Sequence, residues 1–196
     1  MRGMVSAPAP GEAQRPALAL VNTRQARAGE SIDELATPVA LHRWLRDRGL
    51  GEDPPRAPGG RIDDVAVATV RDLRAAVREL LLARIEDRRA AARAVDLVNA
   101  ASAAVPTAAQ LRWDVDHAPR RTQAAAGARL VDLACAALAA DAIDLVTGPD
   151  QAALRACGAP GCVRLLLADH PRRQWCSKRC GDRVRAGRYY RRHQHT

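Results

Sequence analysis

Hydrophobic positions recur along most of this chain at three- and four-residue spacing, the period of helices with one buried face. The clearest stripe is Val70, Leu73, Val77, Leu80 and Leu81, with Asp63 or Asp64 placed to cap its first turn and an end expected near Glu86. Arg71, Arg74, Arg78 and Glu79 fall off that stripe. Upstream, Thr37 and Pro38 make a cap and a first helical position; Val39, Leu41, His42, Trp44 and Leu45 follow, and Gly49 closes the helix. A third helix over residues 89–104 is expected to bury Val95, Leu97 and Val98 before Pro106 stops it. A fourth is expected over 122–146, with Leu130, Leu133, Ala134, Ala137, Leu138 and Ile143 inside. Two stretches read as strands: the apolar run 18–22, where a strand is preferred to a helix turn, and 111–117, which alternates apolar and polar residues. Residues 52–60, with their prolines and glycines, read as a loop, and Thr147-Gly148-Pro149 ends the helical body.

Composition agrees with that pattern. Alanine and arginine dominate, phenylalanine is absent and Lys178 is the one lysine, which favours helices over strands. The expected fold class is mainly α. A helical N-terminal domain over 17–149 carries one or two short strands, and a small module over 150–196 follows it. Residues 1–16, rich in Pro, Ala and Gly, read as a disordered leader without the apolar segment of a secretory signal. No apolar run is long enough to span a membrane, so a cytoplasmic chain with reduced thiols is expected.

Charge narrows the picture. The formal net charge is +9, and all of that excess lies from Arg155 onward, where eleven bases face Asp169 and Asp182. A neutral body with a strongly basic end points to a polyanionic partner, nucleic acid before an anionic membrane.

The same end carries paired cysteines. Cys157 and Cys162 flank a Gly/Pro turn, and Cys176 and Cys180 stand four apart, one turn along a helix that Ser177 or Cys176 would cap. Between the pairs, residues 163–167 read as a strand, 169–172 as a turn containing His170, and 173–175 as a return strand. The order of knuckle, β-hairpin and basic helix is that of a treble-clef-like zinc finger with four cysteine ligands. Four thiolates close a tetrahedral site, which is structural rather than catalytic, and zinc supplies folding energy that so small a module lacks. The spacing lacks the Cys-x-x-Cys of a thioredoxin-like motif and fits zinc better than an iron–sulfur cluster.

Other constellations are weaker. Asp114, Asp116 and His117 could hold a metal or do acid/base work, against the plainer reading of a solvated strand end. Cys135, among Ala and Leu, reads as a core thiol. Phosphate-binding glycine loops, nucleophile elbows and His-Glu-x-x-His are absent.

The stretch from Arg173 to Ala186, containing Cys180-Gly181-Asp182-Arg183, resembles the CGNR zinc finger, named for Cys-Gly-Asn-Arg; Cys157 and Cys162, with four residues between them, and Tyr190-Arg191-Arg192 fit too. Asp182 stands where the family has Asn. An Asn that touches phosphate would be poorly replaced by Asp, whereas one that orients the helix would be tolerably replaced. Leu20-Val21-Asn22-Thr23 and the Trp44 helix resemble the ABATE domain that precedes this finger. The resemblance implies a stress-induced bacterial transcription regulator. Asn22, Trp44 and Trp113 are then candidates to line a small-molecule pocket. The alternative puts both tryptophans in the core and Asn22 on local backbone.

The expected mechanism is DNA binding by the basic end. Arg185, Arg188 and Arg192 form one helical stripe, with Arg172, Arg173, Lys178 and Arg179 at its start and Arg183 and Arg191 beside it. Guanidinium groups bind phosphate bidentately and read guanine edges. Tyr189 and Tyr190 could contact phosphate or bases, with at least one expected to pack under the finger with Val184. Specific binding by so small a finger calls for a homodimer, and the N-terminal domain would dimerise or sense an effector. Two other readings stand beside this one: a zinc module for RNA or an acidic protein partner, and an enzyme with its site in the N-terminal domain.

Overall fold

The computed structural model describes residues 7–27, 30–50, 62–106, 108–115, 117–124 and 128–193. The expected loop 52–60 and residues 1–6 of the expected leader lie outside them. The described elements are α1 (Pro16–Asn22), β1 (Arg24–Arg27), β2 (Glu30–Asp33), α2 (Pro38–Arg46), α3 (Asp64–Ile85), α4 (Ala92–Ala103), β3 (Ala108–Arg112), β4 (Arg120–Ala124), α5 (Leu130–Thr147), β5 (Leu154–Ala156), β6 (Leu165–Leu167) and α6 (Lys178–His193). The chain is mainly α, and its strands form three antiparallel pairs, β1–β2, β3–β4 and β5–β6.

Local signals set the long helices. Thr37 accepts from the Ala40 N–H and Asp63 from the Ala66 N–H, at 3.2 and 2.8 Å, so both caps satisfy a donor the helix leaves open. Along α3, Val70, Leu73, Val77 and Leu81 are buried as their spacing requires. Arg74 departs from the expectation. It is buried too, because Asp33 pairs with it at 2.7 and 2.8 Å and the Thr23 hydroxyl accepts at 2.9 Å.

Where neighbours rather than pattern decide, the expectations fail. The run 18–22 is helix, not strand: Pro16 opens α1 at a first-turn position, and every residue from Ala17 to Asn22 is buried. A helix enclosed on all sides has no polar face, so its sequence shows no period. Of the helix expected over 122–146, the described part begins at Leu130, residues 120–124 pair with β3 instead, and 125–127 lie outside the described residues. The strand expected at 111–117 accordingly starts earlier and ends at Arg112. Trp113 is 71% exposed rather than core. Val95 and Ala137 face outward, while Ala94 and Ala139 take the inner positions.

The main core gathers α1 to α5 and also takes Leu154 of β5 and Leu165 of β6. Each of these leucines is essentially fully buried and contributes about 2 kcal/mol by leaving water. The segment from residue 7 to Arg15 is a packed strap, not the disordered leader expected there. Ala9 lies in a second, smaller core, and Leu167 donates to the Pro10 carbonyl at 2.9 Å. Gly11 has φ +91°, and a Cβ there would meet the Leu167 side chain at 2.7 Å, so this crossing admits glycine alone.

Candidate metal centre

The knuckle is the loop between β5 and β6. Leu154 pairs with Leu167 and Ala156 with Leu165, so the hairpin closes around the first cysteine pair. Gly161, at φ +69°, supplies the left-handed residue of that turn, and the Cys162 N–H reaches back to the Ala159 carbonyl at 3.0 Å. The return strand expected at 173–175 does not form, because β5 is the partner of β6. One bond, from the Gly158 N–H to the Gln174 carbonyl at 2.8 Å, lays that segment beside the knuckle. Of the second pair, Cys176 lies just before α6 and Cys180 in its first turn, where the Ser177 hydroxyl accepts from the Cys180 N–H at 3.3 Å as a cap.

All four sulfurs lie within 4.8 Å of one another. Cys176 Sγ is 3.8 Å from Cys162 Sγ and 3.6 Å from Cys180 Sγ. Sulfurs bound tetrahedrally to zinc at about 2.3 Å stand roughly 3.8 Å apart, so the cage has the size zinc needs. Its electrostatics agree. Cys162 and Cys176 donate to Cys157 and hold that thiolate well below the usual thiol range. The same bonds push the Cys162 thiol up to about 11 and Cys176 higher still. Cys157 thus offers a ready thiolate, and Cys162 and Cys176 gain theirs with a bound cation. Around the sulfurs the module buries little else: Ala9, Ala159 and Leu166, with Trp175 and Val184 at the margin.

Residues 14–149 match the ABATE family, described as "Putative stress-induced transcription regulator", and residues 153–193 match the CGNR zinc finger. The chain belongs to the ABATE family. No curated protein matches it. In this ABATE protein Cys157, Cys162, Cys176 and Cys180 are placed to hold one structural zinc, which would tie the knuckle to the first turn of α6.

The four residues of the CGNR signature now have physical roles. Cys180 is a ligand. Gly181 lies against Trp175, where a Cβ would stand 3.3 Å from the indole ring. Asp182 accepts from Lys178 at 3.4 Å and from Arg185, and the Arg185 guanidinium holds its carboxyl below the usual range. Arg183 places Nη2 3.8 Å from Cys180 Sγ, where its charge faces the thiolate. Asp in place of Asn therefore braces the outer face of α6 and leaves the cage intact.

Of the basic residues singled out, Arg172, Lys178, Arg179, Arg183, Arg185, Arg188, Arg191 and Arg192 are exposed. Arg173 is half-buried and bonded to Asp169 at 2.8 Å. Tyr189 and Tyr190 are 60% and 65% exposed, so neither packs under the finger; Trp175 and Val184 fill that place. His193 stacks on Tyr189 at 4.1 Å.

The candidate pocket residues do not converge. Trp44 is core, with the Arg48 guanidinium 4.2 Å above its ring, and Trp113 stands in solvent. Asn22 meets a distant strand rather than local backbone. Its Oδ1 accepts from the Leu165 N–H, and its Nδ2 donates to the Leu165 carbonyl, both at 2.8 Å. The same Nδ2 donates to Glu12, which pairs at 2.6 Å with Arg164. Arg78 on α3 reaches the Val163 carbonyl beside the knuckle. Glu12 and Arg164 are not singled out by the sequence and Arg78 only as lying off the α3 stripe, although Arg164 inside an apolar strand is a signal, since such a charge needs a partner. Asp114 lies exposed between Arg112 and Arg120, His117 is exposed, and Asp116 lies outside the described residues. Among the described residues no helix is long and apolar enough to cross a membrane.

Proposed function

We propose that this protein is a DNA-binding transcription regulator whose zinc sets the start of α6 and whose α6 arginines bind duplex phosphate. One observation carries the reading: from Arg188 to His193 every residue of α6 is exposed. This end of the helix adds nothing to the core, and it presents Arg185, Arg188 and Arg192 as one basic stripe with Arg191 beside it, a surface suited to phosphate. Zinc has no open position, so its part is to orient α6, and the protein acts by binding rather than catalysis. The ABATE domain would present the finger and either dimerise or respond to an effector.

The exposed pair Tyr189 and Tyr190 favours a second reading, single-stranded nucleic acid with bases stacked on the rings.

The test is duplex binding by zinc-loaded protein across a salt series, against Arg185→Ala/Arg188→Ala/Arg192→Ala. Three lost phosphate contacts lower the slope of log affinity on log salt by about 2 to 3. Binding to single strands in preference to duplex would favour RNA. Binding to neither, with zinc confirmed, would leave an acidic protein partner.

A further inference from the structure

The β3–β4 hairpin stands out from the helical body. Every described residue from Gln110 to Arg121 is exposed, and Leu111, Trp113 and Val115 are 70%, 71% and 100% exposed. A lone two-stranded hairpin is marginally stable in water, and large apolar side chains left on its surface add to that cost. Its charges add a further cost. The register sets Arg112 directly opposite Arg120, and Leu111 opposite Arg121. Like charges facing each other across a strand pair destabilise it. Asp114 offsets part of this, at 3.8 Å from Arg112 and 3.6 Å from Arg120.

These features together select the partner. A second copy of the chain, docked on the same face, would bring these arginines against their own kind, and an apolar partner would cover guanidinium groups without an opposite charge. A polyanion relieves the facing arginines. Nucleic acid in addition offers surfaces that suit an exposed indole: side chains of this kind stack on bases or wedge between steps, and a two-stranded ribbon fits the major groove. We infer that the β3–β4 hairpin is a second nucleic-acid contact, with Arg112, Arg120 and Arg121 on phosphate and Trp113 on sugar or base. This rests on the DNA-binding reading of α6 and extends it to a two-point grip.

The experiment uses the full zinc-loaded chain and an arbitrary 20-base-pair duplex (about two helical turns). Arg112→Ala/Arg120→Ala/Arg121→Ala is expected to lower the salt slope by about 2 to 3. Trp113→Ala is expected to weaken binding several-fold at an unchanged slope. Both variants alter exposed side chains and are expected to keep the wild-type melting curve. As a check that needs no arginine variant, duplex is expected to quench wild-type fluorescence more than that of Trp113→Phe. Wild-type binding by the hairpin variants, with loss confined to the α6 triple variant, overturns the inference and leaves the α6 reading standing. Failure of the wild type to bind duplex overturns both. A free protein that sediments as a dimer, and as a monomer once Trp113→Ala is made, would identify a self-association surface and overturn the inference as well.

Discussion

Asn22 bonds both polar groups of Leu165, a residue 143 positions away, and is buried while doing so. Asn22→Ala strands a buried N–H, a buried carbonyl and one bond of Glu12. The expected loss is about 2 kcal/mol or more, read by denaturant unfolding of zinc-loaded protein. Asp33 plays the matching part beside Thr23, the next residue along the chain, through Arg74. Its bonds from Arg74 lower its pKa from 3.8 to about 2. A depressed carboxylate stabilises the fold above its unfolded pKa, so this contribution is complete above pH 3.8, declines as pH falls, and is absent below about 2. Asp33→Asn leaves buried Arg74 without its counter-charge and is expected to cost about 3 kcal/mol at neutral pH, with a smaller difference from wild type near pH 2. Burial pushes the Cys135 thiol up to about 12, so in native zinc-loaded protein it is expected to resist thiol reagents until the chain unfolds.

At the scale of elements, α6 depends on a contact at its first turn. Gly181→Ala would bring a methyl group against the Trp175 ring, and that ring sits on the segment leading to Cys176. The variant is expected to release zinc to a chelator at least several-fold faster, followed by a colorimetric zinc indicator, while α3 and α5 keep their helicity. Elements differ in how far the sequence discloses them. Helices α2 and α3 are legible because Thr37 and Asp63 act within one turn of the residues they cap and the stripe from Val70 to Leu81 repeats at helical spacing. The cage is legible because two cysteine pairs at helix and turn spacing leave few other readings. Helix α1 and strand β4 are not, since enclosure by other elements erases the period of the first and pairing with β3 decides the second. The strap at 7–15 is hidden for the same reason: Gly11 and Glu12 look like linker residues until Leu167 and Arg164 are beside them.

For the whole molecule, the zinc module and the helical body share one interior. Leu154 and Leu165 belong to the main core, while their backbones carry the knuckle. Removing zinc frees the hairpin that holds them, so a chelator is expected to lower the melting temperature of the entire chain by about 10 °C, in a single transition seen alike by helical circular dichroism and by tryptophan emission. Two separate transitions would show that the body stands without the finger. The strap adds a consequence for biosynthesis. Ala9 and Pro10 leave the ribosome long before Leu167 and Cys180, yet they complete the small core around the sulfurs. The finger therefore cannot close while Cys180 is still in the exit tunnel. While the residues between them are being made the strap has no docking site, and closing the finger joins residues made early to residues made late rather than adding a finished module to a finished body.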